Sequence, residues 1–270
     1  MSEIAETVNR IKSSMTNTRT TFSKNEECCE KCRGTGWEFF VDDEGVKRTR
    51  ECSCGMIKRE LEERQRSFAE IPAVFRDLRL ETFSTAFYTD KTMINDAVGV
   101  IKYFMQNVEK MIDDGIGLYI SSSTKGSGKT RMAASIANEL MHDYGYPVKF
   151  ATSIQIINAI KATWDKTNTE SETALLAHLT RIKVLVLDDF GTESVKDWIG
   201  ERFYHIINER YVNNLPTIYT SNYRLDQLEY DDRITDRILE KSLQVIFPEE
   251  SVRKKIAEQR ENEMLKARGE

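Results

Sequence analysis

The stretch IGLYISSSTKGSGKT at residues 116–130 constrains this chain most, because it ends in a phosphate-binding pattern. The pattern G-x-x-x-x-G-K-[ST] lets backbone N–H groups surround phosphate oxygens, and it needs a buried strand before it and a helix after it. Both neighbours are present, since residues 116–120 are apolar and residues 129–143 are alanine-rich with helical spacing. The sequence therefore predicts a nucleotide site on an α/β fold.

Each residue of this loop has an expected role. Lys129 is expected to reach the β- and γ-phosphates of ATP, and Thr130 to place its hydroxyl on Mg²⁺. Ser123 stands where glycine is usual and lacks the freedom of glycine at positive φ, which puts the affinity for nucleotide in question. The predicted ATP- or ADP-binding residues of the loop are Ser123, Gly126, Ser127, Gly128, Lys129, Thr130 and Arg131.

Apolar segments alternate with amphipathic segments from residue 116 onward, which predicts a mainly parallel sheet covered on both faces, a three-layer αβα core. Strands are predicted at 116–120, 147–151, 183–188, 216–220 and 243–247, and helices at 129–143, 153–163, 196–213 and 231–240.

The segment KVLVLDDFGTE is an apolar strand that ends in two carboxylates, a pattern typical of a Walker B strand. Asp188 is predicted to hold Mg²⁺, and Asp189 to orient or deprotonate the attacking water. Glutamate is commoner at the second position, so Glu193 in the following loop is a competing candidate for the base.

Two further segments carry polar groups that suit ATP hydrolysis. PTIYTSN is a strand that ends in Thr220, Ser221 and Asn222, which can contact either the γ-phosphate or the lytic water, or can simply cap a turn. DDRITDRI places Arg233 and Arg237 four residues apart on one helical face. Such arginines either pair with local acids or stabilise the transition state at a neighbouring subunit's nucleotide.

All five cysteines precede residue 55, and four of them form two short-spaced pairs. Cys29-x2-Cys32 and Cys52-x-Cys54 flank a segment that reads as strand, turn at residues 42–45, and strand. Four thiolates suit a structural zinc ion, and the alternative is a set of reduced cysteines without metal. Cys28 is left over, either as a neighbour without a role or as a competitor of Cys29 for the metal.

Composition restricts the class of protein. The net charge is −5, with 40% hydrophobic and 31% charged residues, which argues against a surface that coats nucleic acid throughout. The sequence contains no apolar run of membrane-spanning length, and the N-terminus lacks the apolar region of a secretory signal, so a cytoplasmic location without membrane contact is expected.

The chain ends and the linker have simple patterns. Ile4, Val8, Ile11 and Met15 recur at helical spacing and predict a short helix that packs on its own domain or docks on a partner. Residues 57–70 predict a charged connecting helix, and the polar tail from residue 251 is expected to be a solvated or frayed helix.

The order of GSGKT, LDDFGTE, TSN, DRITDRI and PEESVR resembles that of the DnaC/DnaI-type AAA+ ATPases, the bacterial and phage loaders of the replicative helicase. The segment IPAVFRDLRLETF before the core is similar to the same family, and CEKCRGTGW looks like the zinc-binding N-terminal module of its DnaI branch. The domains expected from this resemblance are an N-terminal helix and zinc-binding module at 1–56, a helical linker at 57–80, an AAA+ core at 81–250 and a tail at 251–270.

The resemblance implies an ATPase that hydrolyses ATP to ADP and phosphate. It implies that Asn222 matches sensor 1, that Arg237 rather than Arg233 is the trans-acting finger, and that Arg253 is a late nucleotide-sensing arginine. It also implies that the N-terminal part binds the hexameric helicase and that the core binds single-stranded DNA and self-assembles. Lys161, Trp164 and Lys166 are candidate DNA contacts, although a packed tryptophan beside exposed lysines is the favoured explanation of the three.

Two other functions stay open at this point. An IstB-like transposition ATPase would share the core and bind duplex DNA and a transposase, but the cysteine module argues against it. In a zinc-ribbon adaptor with a degenerate ATPase, nucleotide would only stabilise the fold.

Overall fold

The computed structural model describes residues 29–165, 171–193 and 196–268, and the chain divides into two units, Met1–Glu60 and Leu61–Glu270. The helix predicted around Ile4 to Met15 lies outside the described residues, and so do Cys28 and Lys166. Among the described residues, no helix is long and apolar enough to cross a membrane.

The first unit contains an antiparallel hairpin of β1 (Trp37–Val41) and β2 (Lys47–Glu51), with Trp37 opposite Glu51 and Val41 opposite Lys47. The turn forms because the Asp42 carboxylate accepts the N–H groups of Glu44 at 3.1 Å and Val46 at 2.8 Å. This confirms the strand–turn–strand prediction.

The second unit is built on a five-stranded parallel sheet with the order β4-β5-β6-β3-β7. The central strands β3, β5 and β6 are buried along their whole length, because helices cover both faces. The strands are β3 (Gly117–Ser121), β4 (Val148–Thr152), β5 (Val184–Asp188), β6 (Thr217–Ser221) and β7 (Ser242–Ile246), each within one residue of its predicted position.

Most of the helices bury apolar side chains in two clusters, one on each face of this sheet. Their bounds are α1 (Met56–Ala69), α2 (Lys91–Gln106), α3 (Val108–Asp113), α4 (Lys129–His142), α5 (Ser153–Ala162), α6 (Glu172–Arg181), α7 (Asp197–Val212), α8 (Asp232–Glu240) and α9 (Val252–Arg268). The predicted helices correspond to α1, α4, α5, α7 and α8. The sequence prediction did not include α2, α3 and α6, and the polar tail is helical as α9.

Candidate nucleotide site and cysteine cluster

A cleft of about 640 Å³ opens beside the carboxyl ends of β3, β5 and β6, where parallel α/β sheets bind ligands. Its walls come from the phosphate loop, from the ends of β5 and β6, from residue 75 and from the start of α9. The lining residues are Phe75, Lys125, Gly126, Ser127, Gly128, Lys129, Thr130, Arg131, Asp189, Thr192, Asn222, Val252, Arg253, Ile256, Ala257 and Arg260.

The loop geometry fits a phosphate chain. Gly126 and Gly128 have positive φ, 80° and 101°, and a Cβ at Gly128 would lie 2.6 Å from the hydroxyl of Tyr88. Gly128 is the N-cap of α4 and supplies no side-chain cap, so the first N–H groups of the helix face the cleft without a capping side chain. Ser123 does not have positive φ, so serine fits there without backbone strain.

Lys129 is buried at the base of the loop, where its Nζ donates to the carbonyls of Ser122 at 3.0 Å and Thr124 at 3.1 Å. Burial lowers the pKa of Lys129, and the nearby carboxylates of Asp189, Glu249 and Asp188 oppose this shift. The ammonium group is thus held by neutral acceptors that a phosphate can replace.

Asp188 ends β5 and is 4% exposed, with one carboxylate oxygen 2.5 Å from the hydroxyl of Thr220 on the adjacent strand. Burial raises the pKa of Asp188, and so does the charge of Asp189, while hydrogen bonds from Thr220 and Thr130 lower it. Thr130 and Asp188 therefore lie together as a pair of oxygen ligands of the kind that Mg²⁺ prefers.

Asp189 has a φ of 53° and lines the cleft, as does Asn222. The Asp189 N–H donates to the Thr220 hydroxyl at 3.0 Å, so one threonine holds both aspartates. The left-handed conformation is uncommon for a non-glycine residue.

Glu193 lies differently from Asp189. Its carboxylate accepts hydrogen bonds from Ser153 Oγ at 2.6 Å, from the hydroxyl of Tyr230 and from the Gly191 N–H. Glu193 is absent from the cleft lining. Of the two candidates for the base, Asp189 is thus the one that faces the cleft.

The arginines divide into two groups. Arg131 and Arg253 line the cleft. Arg233 and Arg237 on α8 are outside it: Arg233 pairs with Asp231 at 2.8 Å, and Arg237 donates to Asn208 Oδ1 at 3.0 Å. The trans-acting role that the resemblance implies for one of these two arginines stays a prediction.

The cysteine unit places four sulfur atoms together. The Sγ atoms of Cys29, Cys32, Cys52 and Cys54 all lie within 4.8 Å of one another, and the pairs Cys29–Cys52 and Cys32–Cys54 are 3.7 Å apart. With Zn–S bonds of about 2.3 Å, the edge of a tetrahedron is about 3.8 Å.

Thiolate formation is favoured at one corner of this cluster. Burial would raise the pKa of Cys32, but the N–H groups of Gly36 and Gly34 and the Cys54 sulfur outweigh it and lower the pKa to about 6. The donor set and spacing fit zinc.

Two of the candidate DNA contacts pack against neighbouring side chains of the same unit. Trp164 is 53% exposed, yet its ring packs edge-on against Trp198 with centroids 5.0 Å apart, and its Nε1 donates to Glu172 at 3.1 Å. Lys161 Nζ lies 5.8 Å from the Trp198 ring. These residues are thus partly packed and partly available to a ligand.

The sequence analysis missed several residues that shape the site. Glu249 contacts the phosphate loop, Tyr88 donates to the Ser127 carbonyl at 2.5 Å, and Ser153 Oγ donates to the Asp189 carbonyl at 3.0 Å. The sequence predicts Thr220 as a contact to the γ-phosphate or the lytic water, or as a cap, and not as the residue that binds both aspartates. No local pattern marks these residues, since each acts on a segment at least 31 positions away.

Residues 64–260 match the protein family described as IstB-like ATP binding protein. The chain is 29% identical over 222 residues to phage-like element PBSX protein XkdC of Bacillus subtilis, a match that covers 78% of each chain. It is 32% identical over 154 residues to the replicative helicase loader DnaC of Escherichia coli, which covers 56% of this chain and 62% of that protein.

Two further matches concern the fold and the DnaI branch. The chain is 26% identical over 219 residues to the replicative helicase loader DnaI of Bacillus subtilis, which covers 77% of this chain and 65% of that protein. A crystal structure of the DnaC helicase loader shares the fold, with a TM-score of 0.56, 24% identity, and coverage of 66% of this chain and 100% of that chain.

Proposed function

The chain belongs to the family of IstB-like ATP-binding proteins, which are AAA+ ATPases, and we propose that it loads a replicative DNA helicase onto single-stranded DNA. The observation that carries the proposal is the similarity to relatives named as replicative helicase loaders. The family match over residues 64–260 contains the whole nucleotide site. The proposal places the protein in the cytoplasm, with ATP binding and hydrolysis as the switch.

Within this proposal the cleft residues have separate tasks. The loop N–H groups and Lys129 bind the phosphates, Thr130 and Asp188 hold Mg²⁺, and Asp189 orients or deprotonates the water. Asn222, which also lines the cleft, contacts the γ-phosphate or the water. Bound Mg²⁺ would neutralise phosphate charge.

Oligomerisation supplies the remaining catalytic group. Arg237 sits on α8 with its guanidinium 5.2 Å from the ring of Tyr204 and 5.5 Å from that of Tyr211, so it is presented from a rigid aromatic support. Arg233 is the alternative and is more exposed. A neighbouring subunit that docks on this face would receive one of them at its γ-phosphate.

The cysteine unit is the proposed helicase-binding part, with one structural zinc ion held by Cys29, Cys32, Cys52 and Cys54. On β1 the side chains of Trp37, Phe39 and Val41 share one face and are 47%, 74% and 61% exposed. Exposed apolar residues in a row are typical of protein interfaces.

A first experiment tests the ATPase. ATP turnover is measured for the wild type and for Lys129→Ala, each with and without single-stranded DNA. Turnover that depends on Lys129 and responds to DNA is expected. Absence of turnover in both proteins would favour the zinc-ribbon adaptor instead.

A second experiment tests the partner. The full chain is co-purified with a replicative helicase, and Phe39→Ala is compared with Val74→Ala, a matched truncation of a 75% exposed residue in the other unit. Only Phe39→Ala should weaken binding. If the wild type retains no helicase, the loader proposal is wrong, and the family name favours a test with a transposase and duplex DNA.

A further inference from the structure

The segment that precedes α9 holds the phosphate loop from outside. Glu249 accepts the backbone N–H groups of Ser123 at 3.0 Å and Thr124 at 2.8 Å, and the Ser123 hydroxyl at 2.5 Å. Partial burial raises the pKa of Glu249, but these hydrogen bonds and a further one from the Thr124 side chain outweigh it, so the pKa is lowered. The carboxylate is therefore an ionised acceptor for the first two residues of the loop.

The residue that replaces glycine is one of the donors. Ser123 keeps an ordinary φ, so it does not need the conformational freedom of glycine, and its hydroxyl makes a contact that glycine cannot make. The serine and the glutamate thus form a matched pair across 126 positions of sequence.

The next residues extend the attachment. Glu250 accepts the N–H groups of Thr89 and Asp90, each at 2.8 Å, and it also pairs with Lys255 in the second turn of α9. The Arg253 N–H donates to the carbonyl of Gly126 at 3.2 Å, and a Cβ on Gly126 would lie 3.0 Å from the Cβ of Arg253. The crest of the loop and the first turn of α9 are therefore in direct contact.

The remaining attachments of α9 are also at its start: Lys255 donates to the Phe87 carbonyl at 2.8 Å and to the Thr89 hydroxyl at 3.0 Å, and Val252 packs against the core. The helix contains no buried residue, although its first half supplies Val252, Arg253, Ile256, Ala257 and Arg260 to the cleft wall. A polar surface helix without a buried face owes its position to its end contacts.

We propose that Glu249 is a positioning residue that locks the phosphate loop through Ser123 and Thr124 and thereby holds α9 against the nucleotide. This inference rests on the proposed nucleotide site. The hydrogen bonds of Glu249 hold the loop in one conformation before nucleotide binds, which reduces the free energy needed to order the loop on binding. It also couples the state of the loop to α9, because the same short segment joins both.

The test uses the full chain with Glu249→Gln, and Glu258→Gln on the same helix as the matched control, since Glu258 is exposed and outside the cleft lining. Two quantities are measured: the Kd of a fluorescent ADP, and amide hydrogen exchange without nucleotide. Glu249→Gln replaces an ionised acceptor of several hydrogen bonds with a neutral one, so we expect a roughly fivefold higher Kd for the ADP. We also expect faster exchange at 123–126 and 252–256 with unchanged exchange in β3, and a control that behaves as the wild type.

Ser123→Ala keeps the proposal testable if Glu249→Gln folds poorly, because it removes one exposed hydroxyl only. We expect a smaller rise in Kd from Ser123→Ala, and a double variant whose effect is less than the product of the two single effects, since both remove the same bond. Exchange and Kd unchanged in Glu249→Gln, or a strictly multiplicative double variant, would overturn the inference. A wild type that binds no ADP would instead refute the proposed nucleotide site. The exchange measurement would still show whether Glu249 holds the phosphate loop and α9.

Discussion

Thr220 is the residue on which the metal end of the site depends, and replacing it with valine tests that role. Its hydroxyl is fully buried, donates to Asp188 and accepts the N–H of Asp189. Valine has nearly the same shape but can make neither bond. The substitution therefore removes one bond to a charged group and leaves the partly buried N–H of Asp189 without this partner.

The size of the effect follows from these two losses. A hydrogen bond to a charged group contributes about 1.5–3 kcal/mol, and an unsatisfied buried donor costs about 1–3 kcal/mol. We therefore expect the free energy of unfolding to fall by about 3 kcal/mol. The pKa of Asp188, which burial already raises, should rise further because a donor to its ionised form is lost.

The functional consequence has a definite sign. Mg²⁺ binds the carboxylate and not the carboxylic acid, so protons compete with the metal below the pKa of Asp188. In Thr220→Val the acid limb of the pH–rate profile should move to higher pH, and half-maximal turnover should need more Mg²⁺. Turnover is followed by phosphate release across pH and Mg²⁺ concentration, and stability by urea unfolding.

Thr217→Val is the matched control. Thr217 lies on the same strand and is also buried, but its hydroxyl accepts a bond from Arg210 at 2.8 Å, far from the cleft lining. It should lose stability without a change in the Mg²⁺ dependence. If both variants show the wild-type Mg²⁺ dependence and pH profile, the role given to Thr220 is wrong.

Arg210, Cys32 and Glu250 each give a further testable prediction. Arg210→Met should lower the free energy of unfolding by about 3 kcal/mol, because three carbonyls at 2.6–3.0 Å lose a charged donor, which costs about 6 kcal/mol. The loss is partly offset, since the buried cation, whose pKa burial lowers to about 10, no longer costs about 3 kcal/mol. Urea unfolding measures the change in stability, and an unchanged midpoint would contradict this prediction. Cys32→Ser should reduce bound zinc below one ion per chain by elemental analysis and loosen residues 29–60 in hydrogen exchange, with ATP turnover retained; equal zinc content would exclude the four-cysteine site. The N–H of Asp90, with Lys255 and the N–H of Thr89, lowers the pKa of Glu250 to about 2. The contribution of Glu250 to stability is therefore present above pH ~4.3 and is lost as the pH falls from there towards 2. In acid the unfolding free energy of Glu250→Gln should fall less steeply with pH than that of the wild type, and equal slopes would refute this.

Much of the fold could be read from the sequence, since apolar strands and amphipathic helices alternate with a clear period. The strands and the helices after them lie at their predicted positions because local pattern and burial agree there. The sequence analysis did not predict helices α2, α3 and α6, because no predicted strand or motif lies directly before them to indicate where a helix begins. For α9 the sequence predicts either a solvated or a frayed helix, because this segment lacks an apolar face.

The sequence alone determined the chemistry of the site: the loop that ends at Thr130, the paired aspartates and the four cysteines each depend on residue type and short spacing. Only the tertiary structure decided which of these groups meet. It turned Asp189 towards the cleft and tied Glu193 to Tyr230, and it brought Glu249 onto Ser123 across 126 positions. The physical reason is that a side chain's partner is set by packing of distant segments, which local pattern does not encode.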